Sequence, residues 1–229
     1  MTTRRERIRS ATIDEIKSTA WKQVGEQGAA ALSLRAIARA MEMTAPGLYR
    51  YYPDLDALVT ALLIDAFNSF SGTLEAAREA CPTDDHAGRF RAICTAYFAW
   101  GAANPQKYIF LFGTPIPGYQ FSTEVGPAAQ LSFLVLHGVL WEAYAAGKIT
   151  GGLSGLVLPA SLEVQYETLR RMGLPYEPVV THLALSVWSS MHGMTSLFLY
   201  GYLTSFLGSR VEAFVDVEIE KMARIIGFE

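Results

Sequence analysis

Three tyrosines and one arginine occupy four consecutive positions, shortly after a Pro-Gly pair. Residues 44–58 read TAPGLYRYYPDLDAL, with Tyr49, Arg50, Tyr51 and Tyr52 near the centre. A phenol combines a flat apolar ring with a hydroxyl group, and a guanidinium binds phosphate oxygens in a bidentate manner. This combination is typical of a surface that contacts phosphates and the edges of stacked bases. Tyr52 is expected to pack inward.

Two short helices joined by a tight turn are predicted between residues 33 and 52. Ser33 and Thr44 precede them, and both residue types are favoured N-caps. Pro46 lies in the first turn of the second helix, where a missing N–H costs least. Small Ala38 permits a close crossing, so the pair is predicted to be a helix-turn-helix whose second helix enters the DNA major groove. An ordinary helical hairpin with exposed tyrosines is the alternative, since such patterns are weak by themselves.

Charge is distributed unevenly along the chain. Residues 1–52 hold nine Lys and Arg against five Asp and Glu, although the whole chain of 229 residues has a net charge of −3. The arginines at positions 4, 5, 7 and 9, with Arg35, would attract a nucleic-acid backbone without regard to sequence. A basic head on an acidic body favours a polyanion-binding module followed by a separate body. Chance clustering of charges is the alternative.

The remaining periodicity predicts an all-α protein. Strand alternation is scarce, and the first predicted helix carries Ile13, Ile16, Ala20 and Val24 on one face before Gly28 ends it. Further helices are predicted over about 55–79, 85–103, 123–147, 160–172 and 178–207, with a short helix and a loop over 105–121 and a capping box Ser209-x-x-Glu212 before the last helix.

Several classes of function receive little support from the residues. Cys81 and Cys94 lack the spacing of metal ligands, and no secretory signal pattern opens the chain, so a reducing, cytoplasmic location is expected. The four histidines accompany no catalytic or metal-binding motif, which predicts no enzyme activity, no metal and no cofactor. An uncharged run from 178 to 209 is long enough for a membrane span, but its serines and its bounding Pro178 favour a buried helix and no membrane partner.

The stretch SLRAIARAMEMTAPGLYRYYPDLDAL resembles the N-terminal DNA-binding domain of TetR-family transcriptional regulators over residues 10–65. The LYRYYP segment and the Ile37-Ala38 pair carry the likeness. It implies an N-terminal three-helix helix-turn-helix domain over 1–54 and a C-terminal helical ligand-binding and dimerisation domain over 55–229, with the helix from about 55 bridging both. The implied DNA-binding residues are Ser33, Arg35, Thr44, Ala45, Pro46, Gly47, Tyr49, Arg50 and Tyr51.

Two positions depart from the family pattern. Glu42 stands where the family commonly has a glycine in the turn, and a positive φ there would cost about 1 kcal/mol. Leu55 stands where the family commonly has a phosphate-binding lysine, which predicts a salt dependence of DNA binding weaker by about one unit of slope.

The resemblance implies that the body binds a small molecule. Aromatic residues gather in its middle third among loops rich in Pro and Gly, which is an independent hint of an apolar pocket. NPQKYIFLFGTPIPGY and VWSSMHGM also resemble the WHG-type C-terminal domain of a subset of the family, over about 84–205. A packed core without a cavity is the alternative. The candidate ligand-binding residues are Thr95, Phe98, Tyr108, Phe112, Tyr119, Gln130, Phe133, His137 and Trp141.

A homodimer is expected, because a dimer places two reading helices about one duplex turn apart on a palindromic site. The candidate interface residues lie on the last two long helices: Trp188, Met191, His192, Thr195, Leu199, Val215 and Met222. The sequence thus predicts a dimeric repressor that an apolar or aromatic effector releases from double-stranded DNA. A ligand-independent DNA-binding protein is the second hypothesis, and a small-molecule-binding helical protein or enzyme is the third.

Overall fold

A computed structural model describes residues 3–113, 116–149, 151, 157–170 and 177–228. These residues form helices and loops without a strand, which confirms the all-α prediction. The α-helices are α1 (Arg4–Gln27), α2 (Leu34–Ala40), α3 (Ala45–Tyr49), α4 (Leu55–Glu79), α5 (His86–Ala103), α6 (Pro105–Phe112), α7 (Val125–Ala145), α8 (Ala160–Arg170), α9 (Pro178–Leu199), α10 (Tyr202–Leu207) and α11 (Val211–Ile226).

The ends of the first helices follow from their capping residues. Helix α1 ends at Gly28, as predicted, with φ of 82°. The side chains of Ser33 and Thr44 accept hydrogen bonds from the backbone N–H groups of Ala36 and Gly47, and they cap α2 and α3. Asp54 accepts from the N–H of Ala57 at 2.8 Å and caps α4. Each cap satisfies a donor that the helix itself leaves without a partner.

Two predictions near the C-terminus are wrong. The helix predicted over 178–207 is broken, because Gly201 adopts a left-handed conformation with φ of 80° between α9 and α10. The predicted capping box at Ser209 does not form: Ser209 lies in a 3₁₀ turn over Gly208–Arg210, and the N-cap of α11, Arg210, makes no side-chain capping bond.

The chain divides into two compact units. The first contains residues 1–68 and 104–129, and the second contains residues 69–103 and 130–229. Helices α4 and α7 each contribute residues to both. The division above follows from compactness, whereas the boundary predicted at residue 54 separates DNA binding from ligand binding. That functional boundary therefore stays a prediction.

The core of the first unit combines the helix-turn-helix with a later segment of the chain. Helices α1 to α4 contribute buried residues such as Ile16, Leu48 and Leu62. Trp21 of α1 meets the Phe110 ring edge to face, with centroids 5.0 Å apart. Lys17 of α1 pairs with Asp65 of α4 at 2.6 Å. Residues 104–129 therefore help to fix α1 and α4.

The core of the second unit is built around α5. This helix packs against α9 and α11. Phe70 lies 4.8 Å, centroid to centroid, from both Tyr97 and Trp100, and Phe98 lies 5.1 Å from Phe198. Aromatic residues that the sequence gathers in one region thus fill a core here.

Among the described residues, α4 is the one helix that is long and apolar enough to cross a membrane by length and composition. Its apolar side chains are occupied within the protein, since Leu58, Leu62 and Phe70 are fully buried. Such a helix fits the role of a core helix.

Glu42 adopts φ of 53° in the turn between α2 and α3, which confirms the positive φ that a glycine would accommodate better. Glu42→Gly should raise the free energy of unfolding by about 0.5 kcal/mol, because relief of the left-handed strain exceeds the added entropy of the unfolded chain. Glu42→Ala keeps the strain and removes the carboxylate, so it is the matched control. Thermal unfolding compares the two, and an alanine variant as stable as the glycine variant would contradict the strain.

Candidate DNA-binding surface and effector site

Helix α3 is held against the first unit by one side chain. Of its five residues only Leu48 is buried, at 1% exposure. In the turn before α3, the N–H of Met43 donates a hydrogen bond of 2.9 Å to the carbonyl of Ala38. Ala38 is buried. This anchorage leaves the other residues of α3 turned away from the core.

The first turn of α3 presents Thr44, Ala45, Pro46 and Gly47 at the surface or partly exposed. The Thr44 hydroxyl oxygen accepts the N–H of Gly47 at 3.2 Å, so its own proton is still available to a phosphate or a base. A Cβ added at Gly47 would lie 3.0 Å from that oxygen. Glycine at this position therefore protects the cap as well as permitting close approach of a partner.

Ser33, Arg35 and Tyr49 line one surface depression of about 510 Å³. Arg35 is exposed and Tyr49 is 41% exposed, so both can reach a partner. Leu55 also lines this depression, at the place where the family pattern has a lysine. Leu55 thus lies beside three candidate DNA-binding residues. That the leucine removes one ionic contact with a DNA phosphate stays a prediction.

Arg50 and Tyr51 line a different depression, of about 610 Å³, with residues from the start of α1. We call it the arginine groove; its residues are Arg4, Arg5, Ile8, Arg9, Arg50 and Tyr51. The guanidinium of Arg9 lies over the ring of Tyr51, 5.1 Å from its centroid. The sequence predicted that these N-terminal arginines attract a nucleic-acid backbone without regard to sequence. The structure shows them on a helix that starts at Arg4.

Tyr52 faces inward, as predicted, and is 8% exposed. Burial, reinforced by the charges of Asp65 and Asp14, raises the pKa of Tyr52 to about 12. Its hydroxyl therefore keeps its proton at neutral pH. Tyr52 therefore belongs to the core, whereas Tyr49 and Tyr51 line two separate depressions.

Three of the candidate ligand-binding residues lie in the first unit. Tyr108 is buried, and its ring centroid lies 4.9 Å from that of Phe112. The hydroxyl of Tyr119 is 3.0 Å from that of Thr60 on α4. These contacts tie residues 104–129 to the first unit.

The other six candidates lie in the second unit. Phe98 is buried, Phe133 and Trp141 are half-buried, and Thr95 and Gln130 are exposed. His137 is fully buried, and its Nε2 lies 3.3 Å from the hydroxyl of Thr181. Thr95 and Gln130 thus differ from the rest in facing outward, and their role in ligand binding stays a prediction.

His137 has one ring nitrogen to spare. Its Nδ1 is buried and has no hydrogen-bond partner within the part of the chain that the structure describes. Burial lowers the pKa of His137 below its ordinary value, so the ring is neutral at neutral pH. Buried polar atoms are normally paired, so this nitrogen is one polar contact that the body could offer to a bound molecule.

Most of the predicted dimer residues are buried within one protomer, and their part in a dimer stays a prediction. Met191, Thr195, Val215 and Met222 are at most 9% exposed within one chain, so their side chains pack its own core. Trp188, His192 and Leu199 are half-buried, with the Trp188 and His192 rings stacked 5.5 Å apart. The exposed large apolar residues on α9 to α11 are instead Leu197, Tyr200, Tyr202, Phe206, Val217 and Ile225.

No group of three potential ligands that could hold a metal ion occurs among the residues with described structure. Cys94 is buried, and burial raises the pKa of its thiol. It is therefore protonated and unreactive at neutral pH.

A short helix anchored by one side chain, with its other residues exposed or partly exposed, in an all-α chain with a basic N-terminal region, defines a helix-turn-helix protein of the DNA-binding class. Residues 16–62 match the model of bacterial regulatory proteins of the tetR family, and residues 90–222 match the tetracyclin repressor-like, C-terminal domain. The chain belongs to the TetR family of transcriptional regulators, which confirms the predicted family.

Similar proteins agree with this assignment. The HTH-type transcriptional regulator Rv1816 of Mycobacterium tuberculosis is 33% identical over 185 residues, which cover 79% of this chain and 77% of that protein. The crystal structure of the regulatory protein SCO4313 is 35% identical, covers 96% of this chain and 98% of that one, and has a TM-score of 0.78. AibR, solved with isovaleryl coenzyme A and operator DNA, shares the fold at 16% identity, with 94% and 98% coverage and a TM-score of 0.58.

Proposed function

We propose that this protein is a dimeric transcriptional repressor that binds a palindromic operator through α3 and is released by a small apolar or aromatic molecule. The observation that carries the proposal is the placement of α3, where Leu48 alone is buried and Thr44, Gly47 and Tyr49 face outward or are partly exposed. An α-helix in the major groove reads base edges with the residues of its N-terminal part. Ser33, Arg35 and Tyr51 would bind backbone phosphates beside it.

The proposed effector site lies among apolar side chains of the second unit around His137. Ligand pockets are mostly apolar and contain a few polar groups that orient the ligand. The neutral imidazole of His137, with its unused Nδ1, would provide such a group. The complex of AibR with isovaleryl coenzyme A supports acyl thioesters as the first compounds to try.

The proposed dimer uses the exposed apolar residues of α9, α10 and α11 in place of the buried candidates. Phe206 is 86% exposed and Tyr202 is 60% exposed on the short helix α10. Large exposed aromatic residues on one short helix favour a covered, isologous interface. A dimer of this kind would present two α3 helices to one operator in the cytoplasm.

The experiment first selects an operator from a randomised duplex pool and then titrates the full chain against that operator and a scrambled duplex at 150 mM salt. The operator should bind at least about 1,000-fold more tightly. Tyr49→Ala should lose most of that preference while its circular dichroism spectrum and thermal unfolding stay as in the wild type, because Tyr49 contributes no core contact. Equal affinity of the wild type for both duplexes would refute the proposal.

The same titration is then repeated with acyl-CoA thioesters of increasing chain length. A compound that is a true effector should weaken operator binding and, by linkage, should itself bind the operator-free protein more tightly. His137→Phe should keep operator binding and lose the response. If the effector releases His137→Phe from the operator as readily as the wild type, the effector binds at another site.

A further inference from the structure

The start of α2 is held by a side chain of α1. The N–H of Ser33, the N-cap of α2, donates a hydrogen bond of 3.1 Å to Oε1 of Gln23, which lies ten positions earlier in the chain. Both residues are half-buried. The bond ties the capping residue of α2 to the body of α1.

The third residue of α2 cannot accept this N–H. In a capping box, a glutamate or glutamine three residues after the N-cap accepts the N–H of the capping residue. Helix α1 has this arrangement, in which Thr3 and Glu6 each accept the other's backbone N–H. In α2 the corresponding residue is Ala36, whose methyl group accepts no hydrogen bond. Gln23 therefore completes, from α1, a capping box that α2 lacks.

The same bond closes the connection between α1 and α2. That connection contains Gly28, with φ of 82°, a 3₁₀ turn over Ala29–Ala31 and the buried Leu32. Apolar side chains tolerate small sliding movements, whereas a hydrogen bond requires a defined distance and angle. The bond from Ser33 to Gln23 thus adds a directional constraint to the apolar packing of the two helices.

The residues at the start of α2 belong to the surface proposed to bind DNA. Ser33 and Arg35 line the depression of about 510 Å³ together with Tyr49 of α3. The Ser33 oxygen accepts the N–H of Ala36 at 3.4 Å, so the hydroxyl proton is still available to a phosphate oxygen. The direction of this hydroxyl depends on the backbone of Ser33, which Gln23 holds.

Gln23 itself lies outside that depression. It lines another one, of about 250 Å³, which is formed by residues of α1 and α2 and includes Ala36. A side chain in this place acts on Ser33 through the backbone. Its contribution to DNA binding would therefore be indirect.

We infer that Gln23 is a positioning residue for DNA binding, which completes the cap of α2 and orients the Ser33 hydroxyl toward a backbone phosphate. The inference rests on the proposed function in one respect, namely that Ser33 binds a phosphate of the operator. Phosphate contacts carry no sequence information directly. Loss of Gln23 should therefore weaken binding to every duplex and leave the preference for the operator unchanged.

Fluorescence anisotropy tests the inference with the full chain, on the selected operator and on a scrambled duplex. In Gln23→Ala the affinity for both duplexes should fall by about 10-fold, because a charge-assisted hydrogen bond to a phosphate is misplaced. The ratio of the two affinities should stay near that of the wild type. Gln27→Ala is the matched control, since it removes an exposed glutamine that lines the same depression, and it should bind both duplexes like the wild type.

A second replacement tests whether the cap is the cause. The double variant Gln23→Ala/Ala36→Gln moves the amide from α1 to the third position of α2, where a capping box has its acceptor. Positions 23 and 36 line the same depression, so the longer side chain has space there. The affinity for both duplexes should return to near that of the wild type. A general loss of packing at position 23 would not be repaired in this way.

A double-mutant cycle with Ser33→Ala identifies the group through which Gln23 acts. Ser33→Ala removes the hydroxyl and keeps the backbone N–H that Gln23 accepts. If Gln23 orients this hydroxyl, Gln23→Ala should cost little further affinity in the Ser33→Ala background. A purely structural role would cost the same factor in both backgrounds.

The outcomes separate this inference from the proposed function. Wild-type affinity of Gln23→Ala, failure of the rescue by Ala36→Gln, or an equal loss in both backgrounds of the cycle would each refute the role of Gln23. If the wild type does not distinguish the operator from the scrambled duplex, the proposed function fails, and the affinities for the scrambled duplex still decide the role of Gln23.

Gln23→Met guards against a variant that does not fold. Methionine keeps the length of the side chain and removes the amide, so the packing between α1 and α2 is preserved. Thermal unfolding of each variant is measured first, and Gln23→Met takes the place of Gln23→Ala if the latter is unfolded at the temperature of the titration. It should show the same loss of affinity, and wild-type affinity of Gln23→Met would refute the inference.

Discussion

Leu48→Ala is expected to abolish operator binding at 150 mM salt while most of the protein stays folded. Leu48 is the sole buried residue of α3, and it lies in the core of the first unit with 1% of its surface exposed. Removing three carbons there should cost about 2–5 kcal/mol of unfolding free energy. A domain with about 5–15 kcal/mol of stability survives such a loss at room temperature.

The loss of binding should be larger than the unfolded fraction alone would cause, because α3 depends on this anchor. A helix of five residues has no stability of its own in water, and a cavity under it allows it to shift. Operator affinity should fall by roughly 100-fold or more, since two or three base contacts of about 1–3 kcal/mol each would be misplaced.

Leu62→Ala is the matched control for Leu48→Ala. Leu62 lies on α4 in the same core and is fully buried, so it should lower stability by a similar amount. Leu62 belongs to another helix than α3, so operator binding well below the unfolding temperature of this variant should stay near that of the wild type. If the two variants lose operator affinity equally, the effect reflects global stability, and α3 needs no special anchor.

Local signals were readable from the sequence because they involve atoms a few residues apart. The N-caps Ser33 and Thr44 and the C-terminal glycine of α1 all act within one helical turn, and each lies where the pattern predicted it. The strain at Glu42 was predicted from the resemblance to the family, whose pattern commonly has a glycine in this turn. These features determine the shape of the helix-turn-helix.

Packing between distant segments was not readable. The contact of Trp21 with Phe110 joins residues almost ninety positions apart, and no periodicity announces it. It is one reason why residues 104–129 belong to the compact unit of the helix-turn-helix, although the sequence favoured a division near residue 54. Tyr108 and Tyr119, predicted to bind a ligand, lie in this segment.

Helix α9 shows why the pattern could not separate buried residues from exposed ones. A helix without a charged residue has no charged side to indicate which of its apolar residues meet the protomer and which face outward. Met191 and Thr195 lie on the inner side, whereas Leu197 and Tyr200 remain exposed. The break at Gly201 was missed for a related reason, because one glycine inside a long apolar run is compatible with a continuous helix.

The second large effect concerns the ion pair between Arg89 of α5 and Glu142 of α7. Their atoms Nη1 and Oε2 are 2.6 Å apart, and the arginine side chain is 8% exposed against 43% for the glutamate. Arg89 also donates to the carbonyl of Thr83, at 3.4 Å. Glu142→Gln should lower the unfolding free energy by about 2 kcal/mol, because it leaves a buried cation without a counter-charge.

The chain contains a matched pair for comparison. Arg91 of α5 meets Glu220 of α11 at the same distance of 2.6 Å, but the Arg91 side chain is 30% exposed. Arg91 lowers the pKa of Glu220 mainly through their hydrogen bond, so this pair contributes to stability above the carboxyl's ordinary pKa, and the contribution is lost as the pH falls through the lowered value. Glu220→Gln should cost much less than Glu142→Gln, since water solvates Arg91 when its partner is removed.

A double replacement separates the charge from its burial. The variant Arg89→Met/Glu142→Gln removes the buried cation together with its partner, and methionine fills a similar volume with an apolar side chain. Urea unfolding should show it to be more stable than Glu142→Gln alone and close to the wild type. If the two replacements instead add their losses, the pair contributes net stability to the second unit, and the desolvation cost of Arg89 is smaller than its burial indicates.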